Sequence, residues 1–182
     1  IFSKKIRLIK TIQQKNFRNE SFSDEDISFL LSCVTHEHSD GVYTASLIAL
    51  TESSNAILDV LIKEFHALQD QAQMLAIPML ACTDYVKCYY FLLERLKSSD
   101  SMDEVAMISM VLSSTHYLVV PLLVHELISD NKQYLNRLAY ILKDIGFKRV
   151  MSYLILHPQI PFETFFRDLF GDDKIEAIKQ KN

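Results

Sequence analysis

From residue 24 onward the chain repeats one phrase: a run with apolar residues three and four apart, a few polar residues, then another such run. That spacing lines the apolar side chains along one stripe of a helix, whereas strict alternation would mark a strand. Ile27, Leu30, Leu31 and Val34 predict a helix opened by Ser23 or Asp24 and ending near His36. Four helical hairpins are predicted after it: 42–51 with 56–68, 72–81 with 85–96, 103–112 with 117–128, and 134–142 with 147–156. Short polar turns join the first three pairs, and Gly146 supplies the stop in the fourth. Residues 3–16, with Ile6, Ile9 and Ile12 on one side and Lys4, Lys5, Arg7, Lys10 and Lys15 elsewhere, predict an amphipathic helix with a basic face. Such a face is either solvated or set against an acidic or membrane surface.

A second regularity overlies the first. Asp40, Asp70, Asp100 and Asp130 recur every 30 residues, each just before the first helix of a hairpin. Self-similarity at this period is the mark of a stacked repeat. The aspartates are expected to be N-caps, each stabilising its helix by about 1 kcal/mol through a bond to an unpaired backbone N–H. Gln73 and Gln133, three residues beyond Asp70 and Asp130, would complete capping boxes.

Two first helices, carrying Met74, Leu75, Ile77, Met79 and Leu80 and then Val105, Met107, Ile108, Met110, Val111 and Leu112, are apolar on more than one face. Either Ala and Ser complete an ordinary outer face, or a neighbouring domain or second copy covers them. Pro78 should kink its helix, and Pro121, nearer a helix start, should cost less. At the other end Phe162, Phe165, Phe166, Leu169 and Phe170 form an aromatic stripe expected to cap the stack or to dock a partner.

Composition narrows the class. Three glycines and four prolines among 182 residues are too few for a fold built from tight turns, and 49% hydrophobic residues supply a core. The net charge of −4 gives no overall field for phosphate backbones, so nucleic acid is an unfavoured partner. No apolar run reaches the roughly 18 residues that span a bilayer. Cys33, Cys82 and Cys88 lack metal-binding spacing and are expected to be free, buried thiols in a reducing, cytoplasmic setting. The start at Ile1 in place of Met fits a piece of a longer protein or a chain with further leading residues.

The blocks ending HALQD, LKSSD and HELISD, each followed by an Ala- and Leu-rich helix, resemble HEAT repeats, relatives of the armadillo family. YLVVPLLVHELISD is similar to the short bacterial pattern in which Val-Pro precedes an apolar run. The resemblance covers residues 40–157 and, more loosely, 24–157. An Arg often found early in the first helix is missing from blocks one to three, and only Arg137 approximates it.

The resemblance implies an all-α fold, an α-solenoid (superhelix) of HEAT-like hairpins. Residues 1–39 would cap one end of the stack, about four repeats would fill 40–157, and 158–182 would form a capping helix and tail. It also implies a protein-binding or scaffolding role, with second helices lining a concave surface. On that surface would lie Asp59, Lys63, His66, Lys87, Tyr90, Glu94 and Arg95, then His125, Glu126, Lys148 and Arg149. Their mixed charge suits a protein or peptide ligand better than a polyanion. The ordinary alternative is a solvated face held by pairs such as Asp59 with Lys63.

Enzymes on HEAT scaffolds, DNA glycosylases and bilin chromophore lyases, give a catalytic or ligand-carrying alternative, and a self-associating structural domain gives another. Glycosylase work would need a basic, aromatic groove, and the chain has no Trp. No phosphate loop, nucleophile elbow or kinase signature is present, so no catalytic residue and no cofactor are assigned. His36, Glu37, His38 and Asp40 form the one dense group of metal-ligand types, without the spacing that makes a zinc site specific. No metal is assigned.

Overall fold

The helix predicted from Ser23 onward forms because its two ends are chemically marked. Ser23 is the N-cap: its hydroxyl accepts the Asp26 N–H at 3.2 Å, while the Ser23 N–H donates to the Asp26 carboxylate at 2.9 Å. This reciprocal box opens α2 (Asp24–His36), and the Glu37 N–H closes it on the Cys33 carbonyl. The computed structural model describes residues 2–115 and 119–157, with 167, 168, 170–173 and 176. Among the described residues every element is helical, so the protein is all-α. The chain divides into two compact units, Ile1–Arg95 and Leu96–Asn182.

In the first unit, α1 (Phe2–Phe17) precedes α2, and α3 (Asp40–Thr51) pairs with α4 (Asn55–Glu64), which runs on into a 3-10 turn at Phe65–Ala67. Next come α5 (Asp70–Ala81) and α6 (Val86–Ser98), within which the division between units falls. Four helices gather on α3, which packs against α1, α2, α4 and α5. It can do so because it is buried on several sides, at Val42, Tyr43, Ser46, Leu47, Ala49 and Leu50. Leu47 and Leu50 have no exposure, so truncating either to Ala should cost about 2–5 kcal/mol. The Ser46 hydroxyl, buried among these residues, has no hydrogen-bond partner.

Ion pairs fasten α1 to α2 and the loop after it. Lys15 binds Asp26, and Lys5 binds Glu37. Burial pushes the Asp26 carboxyl up, but Lys15 and the Ser23 N–H outweigh it and hold it below the ordinary aspartate value. A turn closes α1 after Phe17: Asn19 has a φ of 55°, which asparagine tolerates, and the Glu20 N–H reaches back to the Lys15 carbonyl at 2.9 Å.

The second unit holds α7 (Met102–Ser114), α8 (Val119–His125) with a 3-10 turn at Glu126–Ile128, α9 (Lys132–Ile145) and α10 (Phe147–Ile155). Here α7 packs on α9 and α8 on α10. Ile108, Leu112, Leu123, Val124, Leu138, Ile141, Leu142, Val150 and Leu154 make the core. Gly146 has φ 100° and separates α9 from α10, a backbone state that side chains with a Cβ rarely adopt.

The aspartate column needs correcting. The four residues stand beside helix starts but cap none of them. Asp40 and Asp70 are already the first helical residues, after Ser39 and Gln69, which make no side-chain cap bond. Asp40 instead accepts the Tyr43 hydroxyl at 2.8 Å, and this bond raises the Tyr43 phenol above its ordinary value. Asp100 and Asp130 fall one residue before the caps. Ser101 accepts the Glu104 N–H at 3.3 Å, and Asn131 accepts the Tyr134 N–H at 3.0 Å. Gln73 donates to the Leu68 carbonyl at 2.9 Å and closes no box with Asp70.

Two copies of one loop result. The Ser101 N–H donates to the Ser99 hydroxyl at 3.1 Å, and 30 residues on the Asn131 N–H donates to the Ser129 hydroxyl at 3.2 Å. Pro78 sits one turn before the end of α5, which continues past it to Ala81. Pro121 lies in the first turn of α8. All three cysteines are free and two are buried, but Cys82 is exposed, because α5 stops at Ala81 and Cys82 belongs to the turn.

Candidate functional site

The second helices of the first two hairpins carry most of the expected ridge, and α4 and the start of α6 are joined by side chains. Asp59 on α4 accepts the Tyr85 hydroxyl at 2.9 Å and the Lys87 ammonium at 3.1 Å. The Lys87 Nζ also lies 5.6 Å from the centre of the Tyr85 ring. The Tyr85 hydroxyl first, and Lys87 second, hold the Asp59 carboxyl below its ordinary value. Tyr85 and then Asp59 hold the Lys87 ammonium above its own. The local pair of Asp59 with Lys63 gives way to this longer-range one.

The other end of the ridge is built on a buried aromatic pair. Phe65, fully buried, meets Phe91 edge to face at 4.9 Å, which fixes the end of α4 against α6. The Arg95 guanidinium lies over Phe65, 5.6 Å from the ring centre, with Nη1 3.4 Å from His66 Nδ1. Four expected ridge residues thus meet in two pairs, Asp59 with Lys87 and His66 with Arg95. Lys63, Tyr90 and Glu94 are exposed. Tyr85 was absent from the expected set; its only sequence signal was its place at the mouth of the second helix.

In the second unit the four expected residues are placed but not knitted together. His125 is exposed at the end of α8, and Glu126 accepts the Tyr134 hydroxyl at 3.0 Å. Lys148 and Arg149 are exposed in the first turn of α10. Arg137, the position that approximates the repeat arginine, donates to the Leu96 carbonyl in the last turn of α6.

Two of the clefts among the described residues bear on these helices. One of about 680 Å3 lies at the turns of the first unit, lined by Glu52, Ser53, Met79, Cys82, Asp84 and Tyr85 among others. A second, about 610 Å3, runs between α7 and α9, with Met102, Val105, Ala106, Met110 and Tyr140 as its apolar wall. Met110 is exposed there, whereas Met79 and Met107 are half-buried. The stripe at the C-terminal end lies outside the described residues except for Phe170, whose ring meets Phe147 of α10 at 5.2 Å.

The loop of metal-ligand types is taken up by structural bonds. His36 Nδ1 lies 2.6 Å from the Thr35 hydroxyl, Glu37 binds Lys5, and Asp40 holds Tyr43. Among the described residues no three His, Cys, Asp or Glu side chains gather as a metal would require. Nor is any described helix long and apolar enough to cross a membrane. Compared with known proteins, the chain matches no family model, no curated protein and no solved structure.

Proposed function

We propose that the chain is a protein-binding or scaffolding module of the HEAT-repeat type, an α-solenoid whose second helices bind a protein or peptide. The observation that carries this reading is the ridge of α4 and α6, where residues from two hairpins meet as Asp59 with Lys87 and His66 with Arg95. Lys63, Tyr90 and Glu94 stand exposed along the same helices. Alternating charge with an exposed tyrosine suits an extended peptide or a mixed-charge helix. The packing of α3 on α5, of α7 on α9 and of α8 on α10 supports a succession of stacked hairpins. Three free thiols suit a reducing compartment.

Affinity capture from native extract tests the reading, with the whole chain as bait beside a Tyr90→Ala/Arg95→Glu variant of unchanged helicity. A partner held by the native chain and lost at least about tenfold by the variant is the expected result. A partner held equally by both, or a native chain that stays alone and monomeric at high concentration, would refute it. Sedimentation of the same samples separates partner binding from self-association.

A further inference from the structure

The outward face of α1 is not part of the ridge, and its chemistry is one-sided. Its sequence, FSKKIRLIKTIQQKNF, contains no acidic residue. The apolar side is spent on the first unit, with Ile9 and Ile12 buried and α1 packed on α3. The acids that reach the helix are also spoken for: Glu37 by Lys5, Asp26 by Lys15, and Glu52 by Gln13, which donates to it at 2.8 Å. What is left points away. Lys4, Arg7, Thr11, Gln14 and Arg18 follow one another at intervals of three and four, so they make a single exposed stripe with Lys10 beside it. Lys4, Arg7, Lys10 and Arg18 have no ion-pair partner among the described residues.

Two apolar side chains border this stripe. Leu8, 46% exposed, lies on one side, and Phe17, 78% exposed, lies beside Lys10 on the other. We infer that this face docks the protein on an anionic phospholipid surface, with α1 lying in the plane of the headgroups. Lys4, Arg7, Lys10 and Arg18 would meet lipid phosphates and carboxylates, while Leu8 and Phe17, nine residues and so half a turn apart around the helix, would flank the contact at headgroup level.

Shape favours a bilayer over an acidic peptide. One helix side presents a convex strip about 24 Å long whose side chains are exposed, whereas peptides are held in grooves or on sheet edges. The long stems of Lys and Arg let their charges reach headgroups at either edge of the strip. Because this surface is separate from α4 and α6, the inference does not depend on the ridge.

Co-sedimentation of the whole chain with vesicles tests it. At low salt the chain should pellet with phosphatidylcholine vesicles containing about 30% phosphatidylserine and remain in solution with phosphatidylcholine alone. Arg7→Glu/Lys10→Glu should weaken binding at least about tenfold. Lys4→Gln/Arg18→Gln serves as a second charge variant, and far-UV circular dichroism confirms that each variant is folded. Equal sedimentation with both vesicle types overturns the inference, as does a folded charge variant that binds like the native chain. Tighter binding to duplex DNA or to polyglutamate than to the anionic vesicles overturns it as well.

Discussion

Asp59 and Lys87 stand 28 positions apart in the chain and 3.1 Å apart in space, sharing one carboxylate with the Tyr85 hydroxyl. The Tyr85 hydrogen bond is the largest single influence that lowers the carboxyl, and Lys87 adds a hydrogen bond and its charge. Tyr85→Phe and Lys87→Met should therefore each move the Asp59 titration upward toward the ordinary aspartate range. NMR titration of the carboxyl carbon reads both; a variant that leaves it unmoved would show that its contact does not act on Asp59.

The capping box of α2 gives a pH signature. Asp26 is held below its ordinary value of 3.8 in the folded chain. As the pH falls, the unfolded chain takes up this proton first, so stability present near neutral pH is lost as the pH drops through the depressed folded value. Urea midpoints of the native chain and Asp26→Asn should converge in acid and separate above the carboxylate range. Ser23→Ala, which removes the other half of the box, should cost about 1 kcal/mol at neutral pH.

Between Asp100 and Ser101, and between Asp130 and Asn131, the cap bond decides which residue matters. Ser101→Ala and Asn131→Ala should each cost about 1 kcal/mol, and Asp100→Ala and Asp130→Ala no more than about 0.5 kcal/mol. Chemical denaturation of the four variants checks the ranking.

The helices themselves were legible because apolar spacing and turn residues are local signals, and the predicted helices coincide with α3 to α10 to within a few residues. Which residue caps was not legible. Ser, Asp and Asn are nearly equal as caps, and the choice between Asp100 and Ser101 rests on which one adopts the extended backbone before the helix. The Asp59–Lys87 contact was hidden for another reason: sequence offers neighbours three or four apart, and only the packing of α4 beside α6 selects a partner at 28. Cys82 looked buried because the apolar pattern runs on through it, although the helix ends one residue earlier.

At Gly146 an added Cβ would meet nothing within 4 Å, so any penalty is conformational. With φ at 100°, Gly146→Ala should cost about 1–2 kcal/mol. A shifted urea midpoint at unchanged slope is the expected observation, and a neutral substitution would mean that α9 and α10 can be joined by another backbone path.

Thiol chemistry should follow exposure. Cys82 should react with a maleimide in the native chain, while Cys33 and Cys88 wait for unfolding. Burial pushes the Cys88 thiol up, which slows it further by leaving less thiolate. Mass spectrometry of labelled chain before and after denaturation counts the adducts; fast native labelling of Cys88 would contradict the packing of α6.

The twin loops at Ser99–Ser101 and Ser129–Asn131 make the same pair of bonds at both ends of the α7–α8 hairpin. They differ in one contact, because the Ser99 hydroxyl also donates to the buried Glu104 carboxylate, whereas Tyr134 stands at that offset from Ser129. A chain cut before Ser99 and resumed at Ser129 would read Ser98, Ser129, Asp130, Asn131 across the seam, where the intact chain reads Ser98, Ser99, Asp100, Ser101. The seam would keep the serine acceptor and the cap in step, so the two helix starts α7 and α9 share one local connection.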